Sequence, residues 1–251
     1  MRPVSADWDI PSKGHSPLPG DLTPAYVLHA RKYGERHLLV DMLTLSAGRT
    51  SLMVRGAASA KSRRRGLLQP FTPLLVSWSG RGRIPNLKYV EQHSRHVPPQ
   101  GRALFSGFYL NELLVRLIGP DEPVPELFFS YEKTIESLGA GENIERLLRA
   151  FELELLQTLG YGVDLLHEGQ SGAAVRSQAW YSYEPELGLR EAASGHKNRI
   201  AGDTLIALAQ GQLMDVQQSR EAKELMRRIL GYYLGDRPLK SRELFSALSR
   251  D

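Results

Sequence analysis

RGAASAKSRRRGLLQPFTPLLVSWSGRGR, residues 55–83, decides how the first half of this chain is read. Small residues open it around Lys61, Arg63, Arg64 and Arg65; an apolar strand-like run, Leu74–Trp78, follows; a glycine-spaced turn carrying Arg81 and Arg83 closes it. No acidic residue interrupts the stretch. A cationic loop and a cationic turn flanking a rigid strand suit a polyanion, because Arg and Lys can follow phosphates without a fixed register.

Working outward, short segments rich in Val, Leu, Thr, Tyr and Trp recur at Tyr26–Ala30, Leu38–Leu45, Thr50–Arg55, Leu74–Ser79 and Leu87–Glu91. Tyr33-Gly34-Glu35, Ala47-Gly48-Arg49, the basic loop and Gly80-Arg81-Gly82 separate them. This spacing predicts a small closed or nearly closed barrel. The five-stranded OB-fold is the nucleic-acid-binding form of that description, and an SH3-like barrel also fits the strand count. Met1–Thr23, with Pro11, Gly14, Pro17, Pro19 and Gly20, shows no sustained period and reads as a disordered lead-in.

Beyond Pro98-Pro99 the hydrophobic period lengthens to that of a helix. Three stripes are expected to pack as a bundle: Leu104–Ile118, Leu127–Leu138, and Asn143–Leu159 with an N-cap Asn and Gly160 as its stop. Tyr161–Arg199 breaks the pattern with glycines and two candidate strands, Ala179–Tyr183 and Leu187–Glu191, and is expected to form an irregular hairpin subdomain. Helices return at Asp203–Ala209, Ser219–Leu234 and Ser241–Leu248. The fold class is therefore α+β, divided into a lead-in (1–24), a barrel domain (25–95) and a mainly helical domain (100–251) holding the hairpin subdomain (161–200).

Charge separates the halves. Up to Gln100 there are 15 basic and 6 acidic residues, and after it 17 basic and 22 acidic, giving about +9 and −5. Between positions 31 and 90 twelve basic residues face only Glu35 and Asp41. The candidate DNA-contacting residues are Arg31, Arg36, Arg55, Lys61, Arg63, Arg64, Arg65, Arg81, Arg83 and Lys88. Tyr33, beside Gly34 in a turn, is the candidate for base stacking, whereas Tyr26, Phe71, Trp78 and Tyr89 are assigned to core packing.

Catalytic signatures are missing. The sequence has no GxxxxGK[ST], GxSxG or HExxH, and with no cysteine it forms neither a disulfide nor a thiolate metal site. His93 and His96 read as surface residues at a strand end, and Glu152 and Glu154 as solvated carboxylates on different helix faces. Arg146 and Arg149 read either as solvated partners of neighbouring glutamates or as the holders of an acidic, apolar-ended peptide. No apolar run reaches 18 residues and no signal-peptide pattern opens the chain, so no membrane association is expected and the cytoplasm is the expected compartment.

Six motifs resemble the bacterial recombination mediator family RecO: AYVLHARKYGERHLLVDMLT (25–44), GRTSLMVRGA (48–57), KSRRRGLLQPFTPLLVSWSGRG (61–82), YLNELLVRLI (109–118), RAFELELLQTLGYG (149–162) and RPLKSRELF (237–245). The resemblance covers the chain in order after residue 24. It implies an N-terminal OB-fold, a central helical bundle and a C-terminal part that in many members holds a four-cysteine zinc site. YGVDLLHEGQSG (161–172) has no cysteine, so here that subdomain is expected to hold itself by packing, with no metal and no cofactor.

The resemblance further implies a non-enzymatic DNA repair and recombination protein. Such a protein binds single- and double-stranded DNA and anneals complementary strands. It engages the C-terminal tail of single-stranded DNA-binding protein and, with RecR, helps RecA onto DNA coated by that protein, in the cytoplasm and at the nucleoid. The basic barrel by itself is also compatible with an RNA-binding or ribosome-associated OB protein.

Overall fold

The computed structural model describes residues 21–59, 61–80, 84–193, 195, 197–212 and 215–243. These fall into two compact units, the described residues of Met1–Glu142 with Leu239–Asp251, and Asn143–Pro238. The Pro98-Pro99 break is thus a connection inside the first unit.

The first unit begins with β1 (Thr23–Tyr33), β2 (His37–Thr44), β3 (Gly48–Val54), α1 (Arg63–Leu67), β4 (Leu74–Ser79) and β5 (Asn86–Gln92). The strands close in the order β1-β2-β3-β5-β4, with β4 returning to β1, which is the OB barrel expected from the strand count. β3 and β5 run parallel and share one partner pair, Met53↔Asn86, next to a Met53 N–H to Pro85 carbonyl bond of 2.8 Å. Alternation fills the barrel: Ala25, Val27, Val40, Met42, Leu52, Val54, Leu74 and Val76 are all buried in one cluster, with Trp78 packed against it. Two readings change here. β1 starts at Thr23, which already pairs with Val76, so Thr23 and Pro24 belong to the barrel rather than to a lead-in. The basic segment contains a short helix, α1, where a loop was expected.

β1 is buried on both faces over its first six residues because helices cover its outer side. These are α2 (Gly101–Leu117) and α3 (Pro125–Gly139), which pack on each other while α2 lies on β1. A buried polar chain fixes the seat. The Asn111 amide donates to the carbonyls of Leu28 (3.0 Å) and Val27 (3.4 Å), where a register shift leaves the ladder irregular. Tyr131 Oη donates to Asn111 Oδ1 at 2.7 Å and Tyr26 Oη to Glu132 Oε1 at 2.9 Å. Burial, and for Tyr26 the adjacent Glu132, hold both phenols far above their ordinary pKa, so they remain donors. Gly107 lets α2 sit flush on Phe71, since a Cβ there would lie 2.7 Å from the ring.

The chain's last described turn docks back onto α2. Glu112 accepts the backbone N–H of Lys240 (2.9 Å) and of Ser241 (2.8 Å) and the Ser241 hydroxyl (2.7 Å), beside the buried Leu239. Burial alone would raise the Glu112 carboxyl, but the Ser241 and Lys240 bonds, with Arg116 nearby, bring it below its ordinary 4.5. A depressed folded pKa means the clamp is at full strength above 4.5 and fails as pH falls through the folded value. Hydrogen-exchange protection factors at residues 239–243, taken relative to the intrinsic rate at each pH, should therefore fall in acid, and Glu112→Gln should show the low protection at neutral pH already.

In the second unit α4 (Ile144–Thr158) starts at Asn143, whose side chain accepts the Arg146 N–H at 3.1 Å, and stops before Gly160 in the left-handed region (φ 78°). Its helical partner is α6 (Val216–Leu234), so the third stripe of the expected bundle packs here, while α2 and α3 pack in the first unit. The expected hairpin is present as β6 (Trp180–Glu184) and β7 (Gly188–Glu191), and a two-residue strand, β8 (Ile200–Ala201), completes the order β7-β6-β8 ahead of α5 (Gly202–Ala209). Asp164 ties the loop between α4 and β6 by accepting from the N–H groups of Leu166 and His167 and pairing with the His167 ring at 2.9 Å. Val175 N–H closes it on Leu166 carbonyl at 2.7 Å. Backbone bonds and an Asx turn thus tie this loop, and Leu165, Val175, Tyr181 and Leu189 are buried in the subdomain that lacks cysteines. Of the Ser241–Leu248 helix only a turn at 240–243 lies within the described residues.

Candidate nucleic-acid interface

Hydrogen bonds gather the cations of the first unit at one end of the barrel. The β1–β2 ribbon carries exposed Arg31, Lys32, Tyr33 and Arg36, with Arg31 and Tyr33 on one face by strand alternation. The turn that ends this ribbon abuts the segment after β3. Ala58 N–H donates to Arg36 carbonyl at 3.2 Å, and Gly56 N–H to His37 Nδ1 at 3.3 Å. From that segment Arg65 Nη1 reaches back to Ala58 carbonyl at 2.9 Å, which fixes α1 across the same end. Leu68, buried in the barrel core, pins the exit of α1. Arg64 Nη2 then donates to Lys88 carbonyl on β5 (3.3 Å), and Arg55 Nε, directly after β3, to Asn86 Oδ1 on β5 (2.7 Å).

The result is a cleft of about 240 Å³ lined by Arg55, Arg64, Asn86, Leu87 and Lys88. Lys61 and Arg63 are exposed on the same α1 segment. None of these cations forms an ion pair with a carboxylate among the described residues. Asp41 is committed elsewhere: it accepts from Ser51 and lies 3.9 Å from His29 Nδ1. His29 first, with Ser51 and Arg49, outweighs burial and holds its carboxyl below the ordinary range. An array of guanidinium and ammonium groups without internal counterions is suited to binding phosphodiesters, each contact releasing condensed counterion.

The structure sorts the sequence candidates. Arg36, Arg55, Arg64, Arg65 and Lys88 are linked through the bonds above, and Arg31 lies on the ribbon that leads to Arg36. Arg65 spends one donor on its own loop and is only half exposed. Arg81 and Arg83 lie outside the described residues. Tyr33, the last residue of β1 rather than a turn residue, is exposed, while Tyr26 and Phe71 are core residues. Tyr89, expected in the core, is 44% exposed on β5 beside Lys88, because the register shift between Ser77 and Trp78 turns it outward. Asn86 is not among the sequence candidates; a polar residue opening a strand two positions before Lys88 is its only signal. Arg49 serves the fold, donating to Ile118 carbonyl at 2.9 Å.

On α4, Arg146 is exposed, but Arg149 is 4% exposed and grips Glu152 through two nitrogens, Nε at 2.6 Å and Nη2, with Glu145 at 3.4 Å from Nη1. Arg149 therefore has its fork occupied from within. Glu152 is fully buried, contrary to its expected solvation, because at i+3 it falls on the packed face with Arg149.

The chain matches two family models end to end, Recombination protein O N terminal over residues 22–95 and Recombination protein O C terminal over residues 98–243. The chain belongs to the RecO family. Its relatives include a DNA repair protein RecO of Methylococcus capsulatus, 46% identical over 91% of this chain and 94% of that protein. Those of Cellvibrio japonicus (43%; 90% and 97%) and Haemophilus influenzae (42%; 91% and 97%) carry the same name. The boundary between the two RecO models, at 95–98, coincides with the end of the barrel. Among the described residues no group of three or more His, Asp or Glu is placed to hold a metal ion, and no helix is long and apolar enough to cross a membrane.

Proposed function

We propose that this RecO family chain serves DNA repair and recombination as a non-catalytic mediator in the cytoplasm and at the nucleoid. It binds single- and double-stranded DNA through the cationic end of its barrel and anneals complementary strands. With RecR it helps RecA onto DNA covered by single-stranded DNA-binding protein, whose acidic C-terminal tail meets the exposed Arg146 side of α4. The observation carrying this reading is the hydrogen-bonded assembly of Arg36, Arg55, Arg64, Arg65 and Lys88, with no paired carboxylate among the described residues. Annealing follows from charge: two strands held on one cationic surface repel each other less than in solution.

The test is a fluorescence-anisotropy salt titration with single-stranded DNA, duplex DNA and RNA of equal length, followed by an annealing assay. With about five phosphate contacts the log–log salt slope on single-stranded DNA should be roughly −3.5, or about a 100-fold loss of affinity between 50 and 200 mM salt. A flat salt response or no annealing rejects the reading, and tighter binding to RNA than to either DNA replaces it with an RNA-binding role.

A further inference from the structure

The second unit holds a polar cleft of about 480 Å³ lined by Trp180, Gly195, Lys197, Arg199, Gln217, Arg220, Glu221 and Glu224. Its centre is a stacked pair: the Arg199 guanidinium carbon lies 4.2 Å from the centroid of the half-exposed Trp180 ring. β6–β8 pairing sets this up, since Trp180 faces Ala201 and Arg199 enters β8 just before it. Arg228 Nη1 donates to the carbonyl of Asn198 at 2.9 Å and so holds the backbone between Lys197 and Arg199. Stacking uses the face of a guanidinium and leaves its rim of N–H donors available.

Both carboxylates of the cleft are committed. Glu221 accepts from Ala201 N–H (3.2 Å), Thr204 Oγ1 (2.8 Å) and Gln217 Nε2 (2.7 Å), which secures the start of α5, and Glu224 accepts from Arg220 Nε at 3.2 Å. Among the described residues Lys197 and Arg199 have no carboxylate within ion-pair distance. Trp180 is the one large apolar group in the lining, so the cleft offers no apolar pocket for the end of an acidic peptide. The lining has three cations and two carboxylates, so it keeps a net positive charge, and Lys197 and Arg199 beside an indole match a nucleotide, with phosphate on the Arg199 rim and on Lys197 and a base against the Arg199–Trp180 stack.

We propose that this cleft is a second, separate binding site for single-stranded nucleic acid, so that each compact unit carries one. The inference extends the DNA-binding reading, and the experiment separates the two. Native mass spectrometry with oligothymidylate of about eight nucleotides, a length one small site can hold, should find two copies on the full chain. Lys197→Gln with Arg199→Gln should leave one, and so should Arg55→Gln, Arg64→Gln and Lys88→Gln together. Arg199→Lys, which keeps the charge and loses the planar stack, should weaken the second event about tenfold. One copy on the unaltered chain, abolished by the barrel substitutions, overturns the second site and leaves the barrel reading intact. Two copies that persist after the barrel substitutions, with one lost on changing Lys197 and Arg199, support the cleft and overturn the barrel. Displacement of oligothymidylate from the cleft by hexaglutamate at lower concentration than hexathymidylate makes it a peptide site and overturns the proposal.

Discussion

Replacing Arg55, Arg64 and Lys88 together by glutamine is expected to weaken single-stranded DNA binding roughly 100-fold at 0.1 M salt and to flatten the log–log salt slope by about 2. Each phosphate contact on a single strand releases about 0.7 of a counterion, which at 0.1 M amounts to roughly fivefold in affinity, and three contacts multiply to that figure. The residues line one cleft but reach it from the turn after β3, from α1 and from β5, so their loss removes charge without removing a shared structural element. Arg49→Gln is the contrast. Its guanidinium is spent on Ile118 carbonyl, and its loss should lower the melting temperature while leaving the salt slope where it was. Equal slopes for the triple variant and the unaltered protein, measured by anisotropy, would remove the cleft from the interface.

Glu152→Gln should destabilise the second unit by about 3 kcal/mol, because it strands the charge of Arg149 in a site where the pair is almost wholly out of water. Asn143–Pro238 is of the size at which such a loss lowers a melting temperature by roughly 10–20 °C, and calorimetry would register it as the earlier of two transitions. Arg149→Met combined with Glu152→Leu should recover most of that loss, since a buried pair replaced by apolar groups of similar volume is often neutral. Should the double variant be as unstable as the single one, the pair contributes more than mutual compensation. Glu145, which also bonds Lys223 at 3.2 Å, is then the group through which it does so.

The barrel was legible in the chain because its signals are local. β3 alternates cleanly, short apolar runs mark the other strands, and the left-handed positions at the turns between strands are held by Gly34, Gly48 and Gly80. What escaped depends on contacts far apart in sequence. α1 is five residues long and has no buried side chain of its own; its place comes from Leu68 in the barrel core and from bonds of Arg64 and Arg65 to distant carbonyls. β8 has two residues, too few to show a period. The stripes of α2 to α6 are legible one by one, but a stripe does not name its partner, and the pairing of α4 with α6 is not.

The candidate site divides in the same way. The basic residues could be found by counting charges. That Arg149 is sealed inside the fold followed only from the helix face that α6 covers, and that Tyr89 looks outward followed only from the shift beside Trp78.

The barrel is a hoop, and its clasp is the parallel pairing of β3 with β5, joined at one partner pair where every other adjacent pair of strands shares at least three. Arg55 and Asn86 fasten a side-chain bond across that clasp, and Lys88 stands on its far side. A phosphodiester gripped by Arg55 and Lys88 would span the opening and lock it, so nucleic acid and barrel closure become two readings of one equilibrium. Amide exchange at Met53 and Asn86 would then slow in proportion to occupancy, and a strand pulled from the cleft would loosen the hoop at its weakest joint.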